Sequence, residues 1–210
     1  MKRLSIYVVC LFWMSSSCQN QVAIEDINVI PVTSIKDQKY ADVFSILDGV
    51  WKGQFLIFED QKRVPKNEID LKNIASTSLQ KEGLQQVNSI NVEQIYTSEN
   101  PFFQRVTITD SYPDTGQKIV SKGVNKIQEG RMWCVVQKPD EMVIHKGNTE
   151  GENTIIWWRN EKSPQRIEYF KETVSKDFYE IIGWGYYQGD DTKLSPKLWF
   201  YAKYERQNKD

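Results

Sequence analysis

Residues 90–108, which read INVEQIYTSENPFFQRVTI, contain two strand-like runs on either side of a Ser-Glu-Asn-Pro turn signal. Apolar residues recur at alternate positions in both runs, which is the spacing of a half-buried β-strand. We expect an antiparallel hairpin in which Tyr96 lies opposite Phe102 and Gln94 lies opposite Gln104. One face is then apolar except for the two amides, which need hydrogen-bond partners from each other, from buried water or from a ligand.

The opposite face of the same hairpin carries charges. In this register Glu93 lies opposite Arg105, and cross-strand pairs of opposite charge stabilise antiparallel sheets. A different register turns Arg105 inward, where its guanidinium could bind a carboxylate or propionate. Because both orientations are open at this stage, Arg105 is a candidate ligand-binding residue.

Strand-like segments separated by turn signals continue almost to the C-terminus. Short turns between successive strands are typical of an antiparallel meander, and an open sheet of this size would leave two long edges. The sequence therefore predicts an all-β fold, a ten-stranded antiparallel up-and-down β-barrel over residues 40–210. The predicted strands lie near 50–58, 88–96, 102–110, 117–127, 131–137, 141–146, 154–160, 165–172, 177–187 and 197–206.

Two segments depart from the strand pattern. Residues 40–49 (YADVFSILDG) place Phe44 and Leu47 on one side, which predicts a short N-terminal helix. Residues 62–86 are polar, longer than a hairpin loop, and have loose helical spacing. An excursion of that length in a compact domain is either functional or disordered, and the functional alternative is a helical lid over one barrel mouth.

The first residues have the composition of an export signal. Lys2 and Arg3 precede an apolar run over residues 6–14, which is too short to cross a bilayer as a helix but suits a signal peptide over residues 1–17. Small residues then lead into Cys18, as they do in the lipobox of bacterial lipoproteins. An ordinary secretory signal cleaved near the same place is the alternative.

Lipidation of Cys18 would make residues 18–39 a lipid-anchored tether, because this stretch shows no sustained periodicity. We then expect an outer-membrane lipoprotein of a Gram-negative cell envelope that faces the periplasm, attached to the membrane through the lipid only. Cys134 would have no disulfide partner, and we expect it to be a small buried hydrophobic residue.

The composition excludes several classes of function. Lys and Arg total 27 against 28 Asp and Glu, so the strongly basic face of a nucleic-acid-binding protein is not expected. With one His and three Cys, neither a multi-histidine metal site nor a disulfide framework is expected, and we expect no metal and no cofactor. The sequence also shows no Ser/His/Asp or Cys/His pattern that indicates nucleophilic catalysis. His145 alternates with apolar residues, so we expect a surface or satisfied core residue, with haem ligation as the alternative.

Two motifs resemble those of a known superfamily. Residues 47–53 (LDGVWKG) read as a short helix that leads into Gly-x-Trp-x-Gly on the first strand, which resembles the opening of lipocalins and other calycins. Residues 93–96 (EQIY) followed by 101–106 (PFFQRV) resemble a segment of the T-type phycobilin lyases, a calycin family. The resemblance covers residues 40–110. It implies a calycin barrel with a cavity, with Trp51 plugging the closed end.

Several polar and aromatic side chains are candidates for the wall of such a cavity. Trp157 and Trp158 are adjacent, so one of them faces inward. Aromatic rings suit a flat apolar ligand, although the alternative is that they simply fill the barrel. The candidate ligand-binding residues are Gln94, Tyr96, Phe102, Gln104, Arg105, Trp157 and Trp184.

These features favour non-catalytic binding of a small, largely apolar ligand, since no catalytic arrangement is found. One alternative is a protein-interaction or assembly factor that uses the barrel exterior. A second alternative, implied by the resemblance, is a bilin-lyase-like chromophore chaperone. The exterior patch of the first alternative would consist of Tyr186, Tyr187, Trp199 and Tyr201.

Overall fold

A computed structural model describes residues 22–208 and contains the ten strands that the sequence predicts. Each strand pairs antiparallel with its sequence neighbours, and the first pairs with the last, so the sheet closes into an up-and-down barrel. The predicted all-β barrel is therefore confirmed. The strands are β1 (Gly49–Asp60), β2 (Leu84–Asn100), β3 (Phe103–Ser111), β4 (Lys118–Gln128), β5 (Arg131–Gln137), β6 (Met142–Thr149), β7 (Thr154–Lys162), β8 (Gln165–Val174), β9 (Phe178–Tyr186) and β10 (Leu198–Gln207).

The N-terminal helical segment closes one end of the barrel. It consists of two 3₁₀ helices, Ile35–Tyr40 and Ser45–Leu47. Phe44 and Trp51 are buried in the core at this closed end, and the indole Nε1 of Trp51 donates to the Leu47 carbonyl oxygen at 2.7 Å. An aromatic plug tied to the preceding turn thus seals this end, as the Gly-x-Trp-x-Gly motif implies.

The register of the β2–β3 hairpin differs from the predicted one. Strand β2 continues to Asn100, and Tyr96 lies opposite Val106 rather than Phe102, while Gln94 lies opposite Ile108. The error is a shift of four positions, because the turn follows Asn100 and not Tyr96. An even shift changes the partners but leaves each side chain on its predicted face.

The charged face of the hairpin changes partners for the same reason. Glu93 pairs with Lys52 of β1 at 2.6 Å, and Arg105 pairs with Glu99 of β2. The predicted Glu93–Arg105 pair is wrong. Arg105 nevertheless points outward, where its Nη1 donates to the Ile27 carbonyl oxygen at 3.0 Å.

The excursion between β1 and β2 lies on the outer wall of the barrel, not over a mouth. It includes two short 3₁₀ helices, Lys66–Glu68 and Ser76–Gln80. Its buried residues Leu71 and Ile74 pack on outward-facing side chains of the late strands, and no residue of 61–83 lines the interior cavity. The outward-facing partners are Ile182, Trp184, Tyr186 and Trp199.

This packing removes the exposed aromatic patch that the sequence suggested. Tyr186 and Trp199 are fully buried beneath the excursion. Tyr187 turns into the barrel mouth, and the Tyr201 hydroxyl donates to Glu180 at 3.1 Å. The four rings therefore do not form one surface.

A buried carboxylate ties the excursion to the barrel rim. Asp60 is 2% exposed and accepts from Lys81 Nζ at 2.6 Å and from the Ser195 hydroxyl at 3.1 Å. The backbone N–H of Lys62 donates to the same carboxylate at 3.0 Å. One side chain thus joins β1, the end of the excursion and the β9–β10 connection.

Replacing Asp60 with Asn should detach the excursion, because it leaves Lys81 without its buried partner. We expect a loss of about 3 kcal/mol in the free energy of unfolding, measured by urea denaturation, and faster proteolysis within residues 61–83. Asp70→Asn, which changes an exposed carboxylate of the same segment, is the matched control and should have little effect. Equal protease sensitivity of the two variants would contradict the assigned role of Asp60.

Residues 22–34, which were expected to belong to a flexible tether, lie against the barrel instead. Ile27 packs on Phe103 and Val124 of the outer wall. The ammonium group of Lys126, which is fully buried, donates to the Asp26 carbonyl oxygen at 2.8 Å. The predicted signal peptide and Cys18 lie outside the described residues. Within 22–208, no helix has the length and apolar character needed to span a bilayer.

Candidate functional site

The barrel encloses a cavity of about 390 Å³. Its floor lies above the Trp51 plug, and its mouth, at the opposite end, is bordered by Tyr112, Lys138 and Tyr187. Because side chains alternate along a strand, every second residue of the strands faces this space. The apolar lining consists of Phe55, Ile57, Ile90, Val92, Ile108, Val136, Val143, Phe170, Ile181 and Phe200.

A polar cluster around Glu168 occupies the half of the cavity nearer the mouth. Arg159 binds both carboxylate oxygens, with Nε at 2.6 Å and Nη2 at 3.0 Å. The Tyr187 hydroxyl donates to Oε1 at 2.6 Å, and His145 Nε2 lies 3.1 Å from Oε2. Both Glu168 and Arg159 are more than nine-tenths buried.

The cluster keeps Glu168 ionised. Burial alone would raise the pKa of this carboxyl, but hydrogen bonds from His145, Arg159 and Tyr187, together with the charge of Arg159, lower it to about 2. An ionised carboxylate can only accept hydrogen bonds, so the proton of the His145 contact lies on Nε2. That ring nitrogen is thereby engaged with Glu168, and His145 lies in the cavity wall rather than on the surface.

One donor in the cluster has no acceptor. Arg159 Nη1 is buried and makes no hydrogen bond with any described residue. The nearest acidic oxygen, Glu161 Oε1, lies 3.7 Å away, beyond hydrogen-bond range.

No group of three His, Cys, Asp or Glu within 22–208 is arranged to hold a metal ion.

A second polar group lies deeper in the barrel. Glu172 of β8 accepts a hydrogen bond from the indole Nε1 of Trp157 at 2.9 Å and forms no ion pair with any residue of the described range. Burial raises the pKa of Glu172 to about 7, against the lowering effect of hydrogen bonds from Tyr179 and Trp157. This carboxyl therefore changes its charge near neutral pH.

The surroundings of Glu172 are aromatic and weakly polar. Burial raises the pKa of Tyr96, Tyr179 and Tyr204, and the negative charge of Glu172 raises each of them further. The thiol pKa of Cys134 is raised by the same two causes. Cys134 has no disulfide and lines the cavity.

Three of the sequence-predicted candidates meet in this cavity. Gln94, Tyr96 and Trp157 all line it. The Tyr96 hydroxyl donates to Gln94 Oε1 at 3.2 Å, so part of the amide's hydrogen-bonding capacity is already used within the wall. Strands β2 and β7 thus supply these three side chains from different sides of the barrel.

Two other candidates belong to the closed end. Gln104 is fully buried, and its Nε2 donates to the Phe44 carbonyl oxygen at 2.7 Å and to Asp48 Oδ1 at 2.9 Å. Its Oε1 accepts from Asn125 at 2.9 Å. Phe102 packs against the core at the closed end of the barrel. Gln104 thus attaches the N-terminal helical segment to the barrel, and neither Gln104 nor Phe102 lines the cavity.

The remaining two candidates lie on the outer face. Arg105 stacks on the Phe103 ring at 5.1 Å, next to the N-terminal segment. Trp184 stacks on Tyr169 at a centroid distance of 5.6 Å, and its Nε1 donates to the Leu71 carbonyl oxygen at 2.9 Å. Arg105 thus contacts the N-terminal segment, and Trp184 contacts the excursion between β1 and β2, on the outside of the barrel.

Sequence reasoning missed the ionisable groups of the cavity, although β7 and β8 carry a signal for them. On β7, Arg159 follows Trp157 at the spacing of one face, and on β8, Glu168 and Glu172 flank Phe170 at the same spacing. Large aromatic residues on one face of a strand indicate that this face is buried. Charged residues on the same face are therefore expected to point into the barrel.

Comparisons with known proteins identify no family for this chain. A scan against protein-family models and a search of curated proteins both found no match. Among solved structures, a redesigned β-barrel is 12% identical, with a TM-score of 0.38, and the match covers 80% of this chain and 97% of that chain. EF1p2_mFAP2b bound to DFHBI is 8% identical, with a TM-score of 0.38, covering 80% of this chain and 99% of that chain.

Replacing Glu172 with Gln should change how stability depends on pH. The folded-state pKa of about 7 exceeds the ordinary value of 4.5, so ionising Glu172 costs the folded state more than the unfolded state. The wild type should therefore lose stability relative to the variant as pH rises from about 4.5 to 7. The difference should reach roughly 3 kcal/mol, measured by urea denaturation at about pH 5 and about pH 8.

Glu180→Gln is the matched control, since Glu180 lies on the outer face of β9 and contacts Tyr201. Its stability should follow the wild type across this range. Parallel pH profiles for the wild type and the Glu172 variant would show that Glu172 is ionised at all these pH values, contrary to its buried setting.

Proposed function

We propose that this protein binds a small, largely apolar ligand inside the barrel and does not act as an enzyme. The observation that carries the proposal is the cavity of about 390 Å³, lined by apolar and aromatic side chains. Ligand pockets of soluble proteins commonly measure roughly 300–1,000 Å³ and combine apolar walls with few polar groups. The cavity has both properties.

The arrangement of polar groups supports binding rather than catalysis. Around Glu168, three donors already satisfy the carboxylate, which leaves no free base at that level. Glu172 lies at the floor with its own donor, Trp157. Groups that are fixed by neighbours are suited to orienting a ligand.

The setting we propose is a Gram-negative cell envelope, with the barrel facing the periplasm on an outer-membrane anchor. The support comes from the charged start at Lys2 and Arg3, the apolar run over 6–14, and the small residues before Cys18. Three residues separate Cys18 from Val22, whose carbonyl oxygen accepts a hydrogen bond from Gln128 of the barrel. A lipid at Cys18 would therefore hold the barrel near the membrane.

A chromophore chaperone like the T-type phycobilin lyases is a second candidate, favoured by the resemblance of residues 47–53, 93–96 and 101–106. Gln94 and Tyr96 from this resemblance line the cavity, whereas Gln104 serves the closed end. Absorbance titration with a linear tetrapyrrole tests this candidate. An unchanged bilin spectrum at saturating protein would remove it.

The ligand-binding proposal predicts that filling the cavity weakens binding. Ile90 lines the cavity, so Ile90→Trp should occupy ligand space and weaken binding of the neutral fluorescent probe N-phenylnaphthylamine by about tenfold or more. Fluorescence titration measures the effect, and native mass spectrometry of protein purified from its own envelope tests for a bound ligand.

Ile95→Trp is a matched control, because Ile95 lies on the same strand, carries the same side chain and is 39% exposed on the outer face. It should bind the probe like the wild type. If both variants retain full probe binding and the native protein carries no added mass, ligand binding in the barrel is not the function.

A further inference from the structure

The charges that line the cavity are unbalanced at its floor. Three carboxylates, Asp110, Glu168 and Glu172, face two cationic side chains, Lys138 and Arg159. Arg159 already pairs with Glu168 through two hydrogen bonds. Burial raises the pKa of Asp110, and the charge of Lys138, which stands near the mouth, only partly offsets that rise. No described cation is left for Glu172.

The walls around Glu172 suit a positive charge. Trp157 and three tyrosines, Tyr96, Tyr179 and Tyr204, surround this level of the barrel. Tyr179 packs within 5.4 Å of Tyr204 and 6.5 Å of Tyr96, measured between ring centroids. The faces of aromatic rings and phenolic oxygens carry partial negative charge and attract cations, most strongly where water is excluded.

We propose that the cavity binds a ligand with a protonated amine, which pairs with Glu172 while the apolar body packs against the aromatic walls. This inference rests on the proposed function and assigns its ligand class. The amine supplies the counter-ion that the protein itself does not provide at the floor.

The energetics favour an amine over the other common polar groups. A buried ammonium ion is tolerated only when it is paired, and Glu172 offers that pairing with a carboxylate already oriented by Trp157. A ligand carboxylate at the same place would meet Glu172 and face like charge. A hydroxyl could accept or donate one hydrogen bond but would leave the carboxylate without a counter-ion.

The geometry also indicates where the rest of the ligand lies. The residue pairs Ile155–Glu172 and Arg159–Glu168 are cross-strand neighbours in the β7–β8 ladder. Four residues along a strand correspond to about 13 Å, so the two polar levels are separated by that distance. The apolar space between them, beside Phe170, accommodates the ligand body and leads toward the mouth.

Amine binding should be linked to proton release. The groups that face Glu172 are the phenols of β2, β9 and β10, the Cys134 thiol of β5, the Trp157 indole of β7 and, farther toward β3, Asp110. Burial raises the pKa of Glu172 to about 7, and burial also raises the pKa of Asp110 above its ordinary value. A bound ammonium ion favours the ionised carboxyl, so affinity should rise with pH through 7 and level off above it.

The test uses calorimetric titration of the folded protein with tryptamine, tryptophol and indolepropionate, which share an indole and differ in the charged or neutral end group. Tryptamine should bind most tightly, with the release of about half a proton near pH 7, read from the dependence of the heat on the buffer. Glu172→Gln should weaken tryptamine binding by about tenfold to a hundredfold and change tryptophol binding little.

Glu180→Gln, the outer-face control, should leave all three affinities unchanged. Equal tryptamine affinity in the wild type and Glu172→Gln would overturn the amine assignment, as would tightest binding of indolepropionate or no binding of tryptamine. N-phenylnaphthylamine binding and its loss in Ile90→Trp are measured separately. Failure of the amine assignment can therefore be distinguished from failure of the ligand-binding proposal.

Discussion

Pairing of β1 with β10 is the constraint on which the rest of the structure depends. Ten register pairs, from Val50–Gln207 to Glu59–Leu198, join the two ends of the meander. A closed sheet has no free edge, and its side chains must divide into an inner and an outer set. The cavity, the plug at Trp51 and the two outer segments all follow from that division.

Part of the apolar core lies on the outside of the barrel. Residues 22–34 bury Ile27 on one outer sector, and residues 61–83 bury Leu71 and Ile74 on another. Apolar burial outside the barrel stabilises the same sheet that apolar burial inside would stabilise. A barrel supported in this way, and plugged at one end, keeps its interior available without relying on a filled centre.

The strand count and the strand faces could be predicted from the sequence, because alternation and turn residues act locally. The pairing partners of Tyr96 and Gln94 could not, since the Ser-Glu-Asn-Pro signal indicates a turn but does not fix the residue at which β2 ends, and β2 continues to Asn100. The outward position of Trp184 could not be predicted for a different reason. Strand β9 is apolar on both faces, Ile181 inside and Ile182 outside, because the excursion covers its exterior, and alternation alone then has no polar side to identify the outward face.

Two carboxyls on one strand face show how neighbours decide chemical character. Glu168 and Glu172 lie four residues apart on β8. The effect of burial on the pKa is offset at Glu168 by three donors, one of which is the charged guanidinium of Arg159, and at Glu172 by two neutral donors only. The first is a permanent anion whose charge is already compensated. The second gains most from a cation brought by a ligand, so the same β-strand supplies a fixed structural ion pair near the mouth and an adjustable recognition group at the floor.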